Sequence, residues 1–174
     1  VALQARIGMG ETSGGVGVGD YTVADLIPEA LRQNLTRLVV GEVRGAEAGA
    51  LFEALQSGAG TLATTHSHSA SSTIDRLAAR VAQGRVLSIA DAMHQIAHHI
   101  DFVIHVELTD DTWRGGMRRR FVTEVRQLTG SIEAGRPATH LVYRAATPTS
   151  AELFQPEAAM AAELAQFDGA SLWR

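Results

Sequence analysis

The sequence predicts a mixed α/β fold, in which a parallel strand–helix–strand unit precedes antiparallel strands and a C-terminal helix. Three observations predict it. Short apolar runs alternate with helical periodicity up to about residue 100, the period then changes to two, and an alanine-rich segment follows near the end of the chain. With 174 residues and 45% hydrophobic content, the chain is long enough to bury a core. Its apolar runs are all shorter than the roughly 18 residues of a membrane helix, so we expect no transmembrane segment.

The charge composition argues against several classes of function. The formal net charge is −4, and all 15 basic residues are arginine because the chain contains no lysine. An acidic chain without a basic stripe is a poor candidate for direct nucleic-acid binding. We interpret its one dense basic run, Arg118–Arg120, as a solvated strand face. The absence of cysteine excludes disulfides and thiolate metal sites.

The first half of the chain shows the pattern of a parallel crossover. Residues 8–20 include six glycines and predict a flexible loop, since they match neither a phosphate loop nor a dinucleotide fingerprint. Helical periodicity begins at Tyr21. The apolar run Leu38–Val40 predicts a buried parallel strand, a helix closed by Gly58 follows, and Leu62–Thr65 predicts the next strand.

The second half changes from helices to strands. Ser88 is the predicted N-cap of a helix whose inward stripe begins at Ile89, and Asp91 favours the same helix start. Beyond residue 101 the apolar residues alternate, which predicts antiparallel strands joined by turns. In order, the predicted elements are a helix at 72–83, the Ser88 helix, a strand at 102–108, a turn at 110–116, a strand at 117–125, a turn at 130–135, a strand at 140–144 and a helix at 148–167.

Glu42 is the first candidate for a catalytic residue. It follows the strand Leu38–Val40, while His66 follows the next predicted strand. Ligands of open α/β sheets bind beyond the carboxyl ends of the strands, so both side chains are expected on the same rim. A carboxylate there can orient an attacking water in nucleotide hydrolysis, or hold magnesium through water. Taken alone, Glu42 is better explained by a salt bridge to Arg44 or to a neighbouring arginine.

Four blocks in consistent order between residues 20 and 126 resemble the type II and type IV secretion ATPases. The first resembles their Walker B region and the second their histidine box; the others resemble the helix after that box and the end of the motor domain. The blocks are 30–32 with 37–48, 57–66, 69–77, and 96–106 with 120–125.

The resemblance implies a RecA-like partial core of the P-loop NTPase type. It divides the chain into a glycine-rich loop at 1–20, the region from Walker B to the end of the motor core at 21–126, and a C-terminal hairpin and helix at 127–174. It also implies roles for individual side chains. Glu42 would activate water for attack on the γ-phosphate and His66 would sense that phosphate, while Arg44, Arg6 and Thr65 would contribute to nucleotide binding.

The same resemblance implies ATP and Mg²⁺ as cofactors, a homo-oligomer of hexameric type, and inner-membrane secretion or pilus machinery as partner. It places the full-length protein in the cytoplasm, peripheral at the inner face of the cell membrane. Because this chain lacks the phosphate-loop lysine, we expect that loop upstream and no ATP hydrolysis by this part alone. Ala59 stands where the family has a first box histidine. The alternative is a non-catalytic assembly module that keeps the ATPase fold.

A metal site is the rival interpretation of the histidines. His66 and His68 lie two apart on a predicted strand, and His94 and His98 lie four apart on a helix, a spacing that can bind zinc. The second pair falls opposite the apolar stripe of its helix, which favours a solvated polar face. We therefore expect no metal bound by this chain.

Overall fold

The computed structural model describes residues 2–6, 8, 10, 12–13, 16–17, 19–45, 47–58, 60–84 and 87–166. It divides into two compact units. The first comprises Val1–His66 with Arg76–Ala92, and the second comprises Ser67–Asp75 with Met93–Arg174.

The glycine-rich region contains a short ladder where the sequence predicts only a loop. Strand β1 (Thr12–Ser13) pairs antiparallel with β2 (Val16–Gly17). Five residues of the predicted loop lie outside the described residues.

Helix α1 (Val23–Leu31) confirms the periodicity that begins near Tyr21. Thr22 and Asp25 form a reciprocal capping box, in which the Asp25 amide donates to the threonine hydroxyl and the Asp25 carboxylate accepts from the Thr22 amide. The helix buries Ile27 and Ala30, so its apolar face packs within the first unit.

The predicted parallel crossover is present. Strand β3 (Arg37–Val40) leads through helix α2 (Glu47–Gln56) to strand β4 (Gly60–Ala63), and the two strands pair in parallel with four residues in register. The second strand therefore begins and ends two residues earlier than predicted.

The prediction of a fully buried strand is wrong for β3. Its residues alternate, so that Leu38 and Val40 are buried while Val39 is 68% exposed. Leu62 opposite is 59% exposed. In the described part of the chain these two strands form a sheet of their own, which leaves one of its faces uncovered.

Two further helices follow, α3 (Ala70–Gln83) and α4 (Ile89–His99). The Ser88 hydroxyl accepts from the Asp91 amide at 3.1 Å, which confirms the predicted start of α4. Ile89 is exposed, contrary to its predicted place in the inward stripe, because the first turn of the helix lies outside the core. The buried residues of the two helices are Ala70, Ile74, Leu77, Ala78, Val81, Ala92, Met93, Ile96 and Ala97.

The antiparallel strands form one four-stranded sheet in chain order. Strand β5 (Phe102–Asp110) pairs with β6 (Arg118–Glu133), β6 with β7 (Arg136–Thr147), and β7 with β8 (Ser150–Leu153). The strands are longer than their alternation predicted, because the pairing continues well beyond the apolar residues.

The turn predicted at 130–135 is shorter than expected. Gly130 lies inside β6 with a positive φ of 77°, in a stretch where the pairing register shifts between Leu128 and Ile132. The shift in pairing register accommodates the left-handed backbone conformation of Gly130 within the hairpin. The chain reverses only at Ala134 and Gly135, both with positive φ.

The predicted C-terminal helix is partly wrong. Its first residues form β8, and helix α5 covers only Ala158–Leu164. Hydrogen bonding to β7 outweighs the intrinsic helix propensity of this segment, because propensity is small beside tertiary pairing. The predicted end of the helix at Phe167 lies outside the described residues.

Candidate functional site

Glu42 lies directly beyond the carboxyl end of β3, as the sequence predicted. The turn that follows is tied to the chain after β4, since the Val43 amide donates to the Thr64 carbonyl at 2.8 Å. The carboxyl ends of the two strands are therefore neighbours, and His66 is brought to the same rim. The Glu42 side chain is only 23% exposed, whereas its contacts with Arg44 and His66 face solvent.

Both oxygens of the Glu42 carboxylate have partners. The Arg44 guanidinium forms an ion pair with Oε2, and the His66 Nε2 lies 3.2 Å from Oε1. The arginine side chain is 76% exposed and the histidine side chain 85% exposed. The carboxylate is thus held by two side chains that are mostly exposed. Their remaining atoms can contact a ligand that approaches from solvent.

The electrostatic surroundings keep Glu42 ionised. The hydrogen bond from Arg44 lowers the pKa of Glu42, and the positive charges of Arg44, His66 and Arg80 add to it against a smaller opposing effect of burial. The same contact raises the pKa of Arg44. Glu42 is therefore a carboxylate at neutral pH, the form that accepts a proton or orients water.

Two threonines after β4 fix the turn that bears Glu42. The Thr65 hydroxyl donates to the Val43 carbonyl at 2.9 Å, and the Thr64 hydroxyl donates to the Gly41 carbonyl. Both hydrogen bonds lie next to the one between the Val43 amide and the Thr64 carbonyl. Together they restrain the backbone on either side of Glu42. The Thr65 hydroxyl thus has a structural partner here, and its contact with nucleotide remains a prediction.

Arg6 is not brought into contact with the Glu42 group. Its backbone forms an antiparallel bridge with Tyr21, with N–H···O distances of 2.9 and 2.8 Å. Its side chain is exposed and forms no ion pair with any residue that the structure describes. A phosphate contact by Arg6 remains a prediction.

Two residues next to the site were assigned no role from sequence. Glu47 begins α2 and accepts hydrogen bonds from the Arg44 and Gly45 amides. An acidic residue at a predicted helix start is a signal that could have identified it. Arg80 on α3 places its charge near both Glu42 and Glu47. No sequence pattern identifies Arg80, because only the packing of α3 brings it to the site.

The rival zinc site has no ligand set in the described residues. No group of three or more histidine, aspartate or glutamate side chains there is placed to hold a metal ion. His66 is instead paired with Glu42. None of the helices in the described part of the chain has the length and apolar character needed to cross a membrane.

The site and the fold define a class of protein, and comparisons with known sequences support it. Residues 5–159 match the family described as "Type II/IV secretion system protein". The chain belongs to this family.

A putative conjugal transfer protein of Mycobacterium tuberculosis strain H37Rv is 36% identical over 120 residues, covering 68% of this chain and 33% of the relative. The same figures hold for a putative conjugal transfer protein of the CDC 1551 strain of that species. The chain thus spans about a third of the length of these curated relatives.

Two solved structures are similar. The VirB11 ATPase of the Brucella suis type IV secretion system, crystallised with sulphate, matches with a TM-score of 0.52 and 29% identity, over 62% of this chain and 32% of that one. The ATPase DotB of Yersinia pseudotuberculosis matches with a TM-score of 0.51 and 25% identity, over 60% of this chain and 26% of that one. The fold is therefore the RecA-like α/β fold of secretion ATPases, as predicted.

Proposed function

We propose that the full-length polypeptide is a motor ATPase of a secretion, pilus-assembly or conjugation machine, in which this chain supplies the water-activating half of the ATP site. The observation that carries the proposal is Glu42: an ionised carboxylate at the end of a parallel strand, held by Arg44 and His66. Membership of the secretion family and likeness to two secretion ATPases support it.

In the proposed reaction Glu42 orients a water molecule and accepts its proton as the water oxygen attacks the γ-phosphorus. The bond from that phosphorus to the bridging oxygen breaks, and ADP leaves with the electron pair. Each carboxylate oxygen already has one partner and one acceptor site left, so movement of a partner would give water fuller access to the carboxylate. Arg44 and His66 are suited to this because both are mostly exposed and both are attracted to phosphate. On this proposal, nucleotide binding draws them from Glu42 onto the γ-phosphate, which frees the base and stabilises the developing negative charge.

The rest of the site would come from outside this chain. A phosphate loop requires a lysine, and this chain has none, so we place that loop in the part of the full-length polypeptide that this sequence does not include. Mg²⁺ bound with ATP would neutralise charge on the β- and γ-phosphates. Thr65 and Arg6 are proposed as secondary nucleotide contacts, with Arg6 reaching phosphate at its own site or a neighbouring subunit.

We further propose that the full-length protein forms a homo-oligomer, of hexameric type, on the cytoplasmic face of the membrane beside the secretion machinery. Relatives named as conjugal transfer and type IV secretion proteins support this assignment. Light scattering on the full-length protein with and without nucleotide would measure the oligomer. Membrane fractionation would test its location.

The alternative function is a non-catalytic assembly module. Ala59 at the position of the first box histidine favours it, since a site with one histidine instead of two has fewer groups to sense phosphate. A phosphate loop in the upstream sequence together with ATP turnover would exclude this alternative.

The test uses the full-length protein and its Glu42→Gln variant, with Glu53→Gln as a matched control on the exposed side of α2. We expect Glu42→Gln to lower the rate of phosphate release by at least about 100-fold, because an amide cannot accept the proton of water. Nucleotide binding, measured by fluorescence with a labelled ATP analogue, should change little. Hydrolysis in Glu42→Gln equal to that in Glu53→Gln would remove Glu42 from the catalytic role.

A further inference from the structure

The turn that bears Glu42 is anchored by a second carboxylate. Glu47, the first residue of α2, accepts hydrogen bonds from the amides of Arg44 and Gly45, the latter at 2.9 Å. The amide of Ala48, the residue after Glu47, donates a hydrogen bond to the Gly45 carbonyl at 3.0 Å. One side chain therefore joins the start of α2 to the residues that immediately follow Glu42.

Glu47 does this from a half-buried position. Burial raises the pKa of Glu47, but hydrogen bonds from the Arg44, Glu47 and Gly45 amides, together with the charge of Arg80, hold it below its usual value. These groups all belong to the first unit, and they stabilise the ionised form of Glu47 although burial disfavours its charge.

Arg80 is the positive charge common to both carboxylates. It lies on α3, and its charge lowers the pKa of Glu42 and of Glu47. Its Nε is buried and has no hydrogen-bond partner within the described residues.

We propose that Glu47 is a positioning residue of the ATP site, which fixes the turn from Gly41 to Gly45 so that Glu42 and Arg44 face the nucleotide. The inference rests on the proposed ATPase function. It does not assign Glu47 to the chemistry, since Glu47 acts through the turn.

The rival explanation is a simple helix cap. An acidic residue in the first turn stabilises any helix, whatever lies beside it. A cap would affect stability alone, whereas a positioning residue must affect kcat as well. The experiment therefore separates turnover from folding.

The test uses the full-length protein with Glu47→Gln, Glu47→Ala and the control Glu53→Gln. We expect kcat to fall by about 10- to 100-fold in Glu47→Ala, because misplacing a catalytic group by about 1 Å has an effect of this size. The KM for ATP should change by less than about threefold, because the phosphate loop lies elsewhere. Glu47→Gln should fall between wild type and Glu47→Ala, since an amide oxygen still accepts from the turn amides.

Hydrogen exchange provides a readout independent of activity. In Glu47→Ala the Arg44 and Gly45 amides lose their acceptor, so they should exchange faster at temperatures where the protein remains folded. Exchange in α4 should be unchanged. Unchanged exchange at Arg44 and Gly45 would show that Glu47 does not hold the turn.

If Glu42→Gln abolishes hydrolysis while the Glu47 variants match their control Glu53→Gln, only this inference fails. If Glu42→Gln is also active, the proposed function fails.

Discussion

The two main sheets of this chain obtain their strands in different ways. The antiparallel sheet takes all four strands from one continuous stretch between residues 102 and 153. Two-residue connections join its last three strands, and the longer segment 111–117 joins the first two. The parallel sheet has two strands in the described residues, separated by a helix. A two-stranded sheet is marginal by itself, and parallel strands are normally covered on both faces. The antiparallel sheet is therefore specified locally, whereas the parallel sheet is built across an intervening helix and has one face exposed in the described residues.

The packing around β3 agrees with this difference. A cavity of about 520 Å³ opens between residues 2–5, α1 and β3, and its walls are mainly apolar. On the sheet itself, Val39 and Leu62 are exposed side by side. An exposed apolar surface of this kind is typical of a face on which another segment or partner packs. The candidate catalytic carboxylate thus follows the strand that has this exposed face.

The antiparallel sheet also leaves apolar side chains in solvent, but in a different arrangement. Ile104, Val125, Tyr143 and Leu153 are paired across the four strands and share one face. Ile104 and Leu153 at the two edges are exposed, while the two central residues are partly covered. Each of the four strands is already hydrogen-bonded to a neighbour, so the sheet keeps its backbone pairing although these apolar side chains are exposed.

The largest expected effect concerns the ATPase activity of the isolated chain. The isolated 174-residue chain should release no phosphate from ATP above background, because it has no lysine and no phosphate loop to bind the triphosphate. The full-length protein, assayed in parallel at equal subunit concentration, should turn over. Robust turnover by the isolated chain that is abolished by Glu42→Ala would contradict this expectation.

The second prediction compares an exposed strand residue with a core residue. Val39→Thr keeps the shape of the side chain, so it should change the free energy of unfolding of the isolated chain by less than about 0.5 kcal/mol. In the full-length protein the same change should be destabilising by about 1–3 kcal/mol, because a hydroxyl is then buried. Chemical denaturation of both forms would measure this.

Ile96→Ala is the control for that comparison. Ile96 is fully buried on α4, and its truncation should cost about 2–5 kcal/mol in both the isolated chain and the full-length protein. Equal, small effects of Val39→Thr in both forms would mean that nothing covers this face of the parallel sheet.

The smallest expected effect is on pH dependence. The folded pKa of Glu47 lies below its usual value of 4.5, so its contribution to stability is present above that value and is lost as the pH falls through the lowered folded value. Replacing it by glutamine removes this contribution, and the melting temperature of Glu47→Gln should approach that of wild type in acid. Melting curves that stay parallel at all pH values would contradict the lowered pKa.

Much of the local structure could be predicted from the sequence. The spacing of apolar residues gave α1, α3 and α4 with their buried faces, and the Ser88 cap placed the start of α4. These succeed because helix periodicity and capping depend on residues within a few positions of each other. Strand lengths were less accurate, since Gly130 and the alanine-rich segment after Pro148 were interpreted from local propensity and β pairing outweighed it.

By itself the sequence determined the order of elements, the placement of Glu42 after a strand, and the resemblance that the family match confirmed. Only the tertiary structure decided which groups meet Glu42: His66 at 3.2 Å, Arg44 on the other oxygen, and the charge of Arg80 from a helix nearly 40 positions away. It also decided that Val39 faces solvent. The reason is physical: a pattern of residues fixes periodicity and caps locally, whereas contacts between distant residues depend on how the elements pack.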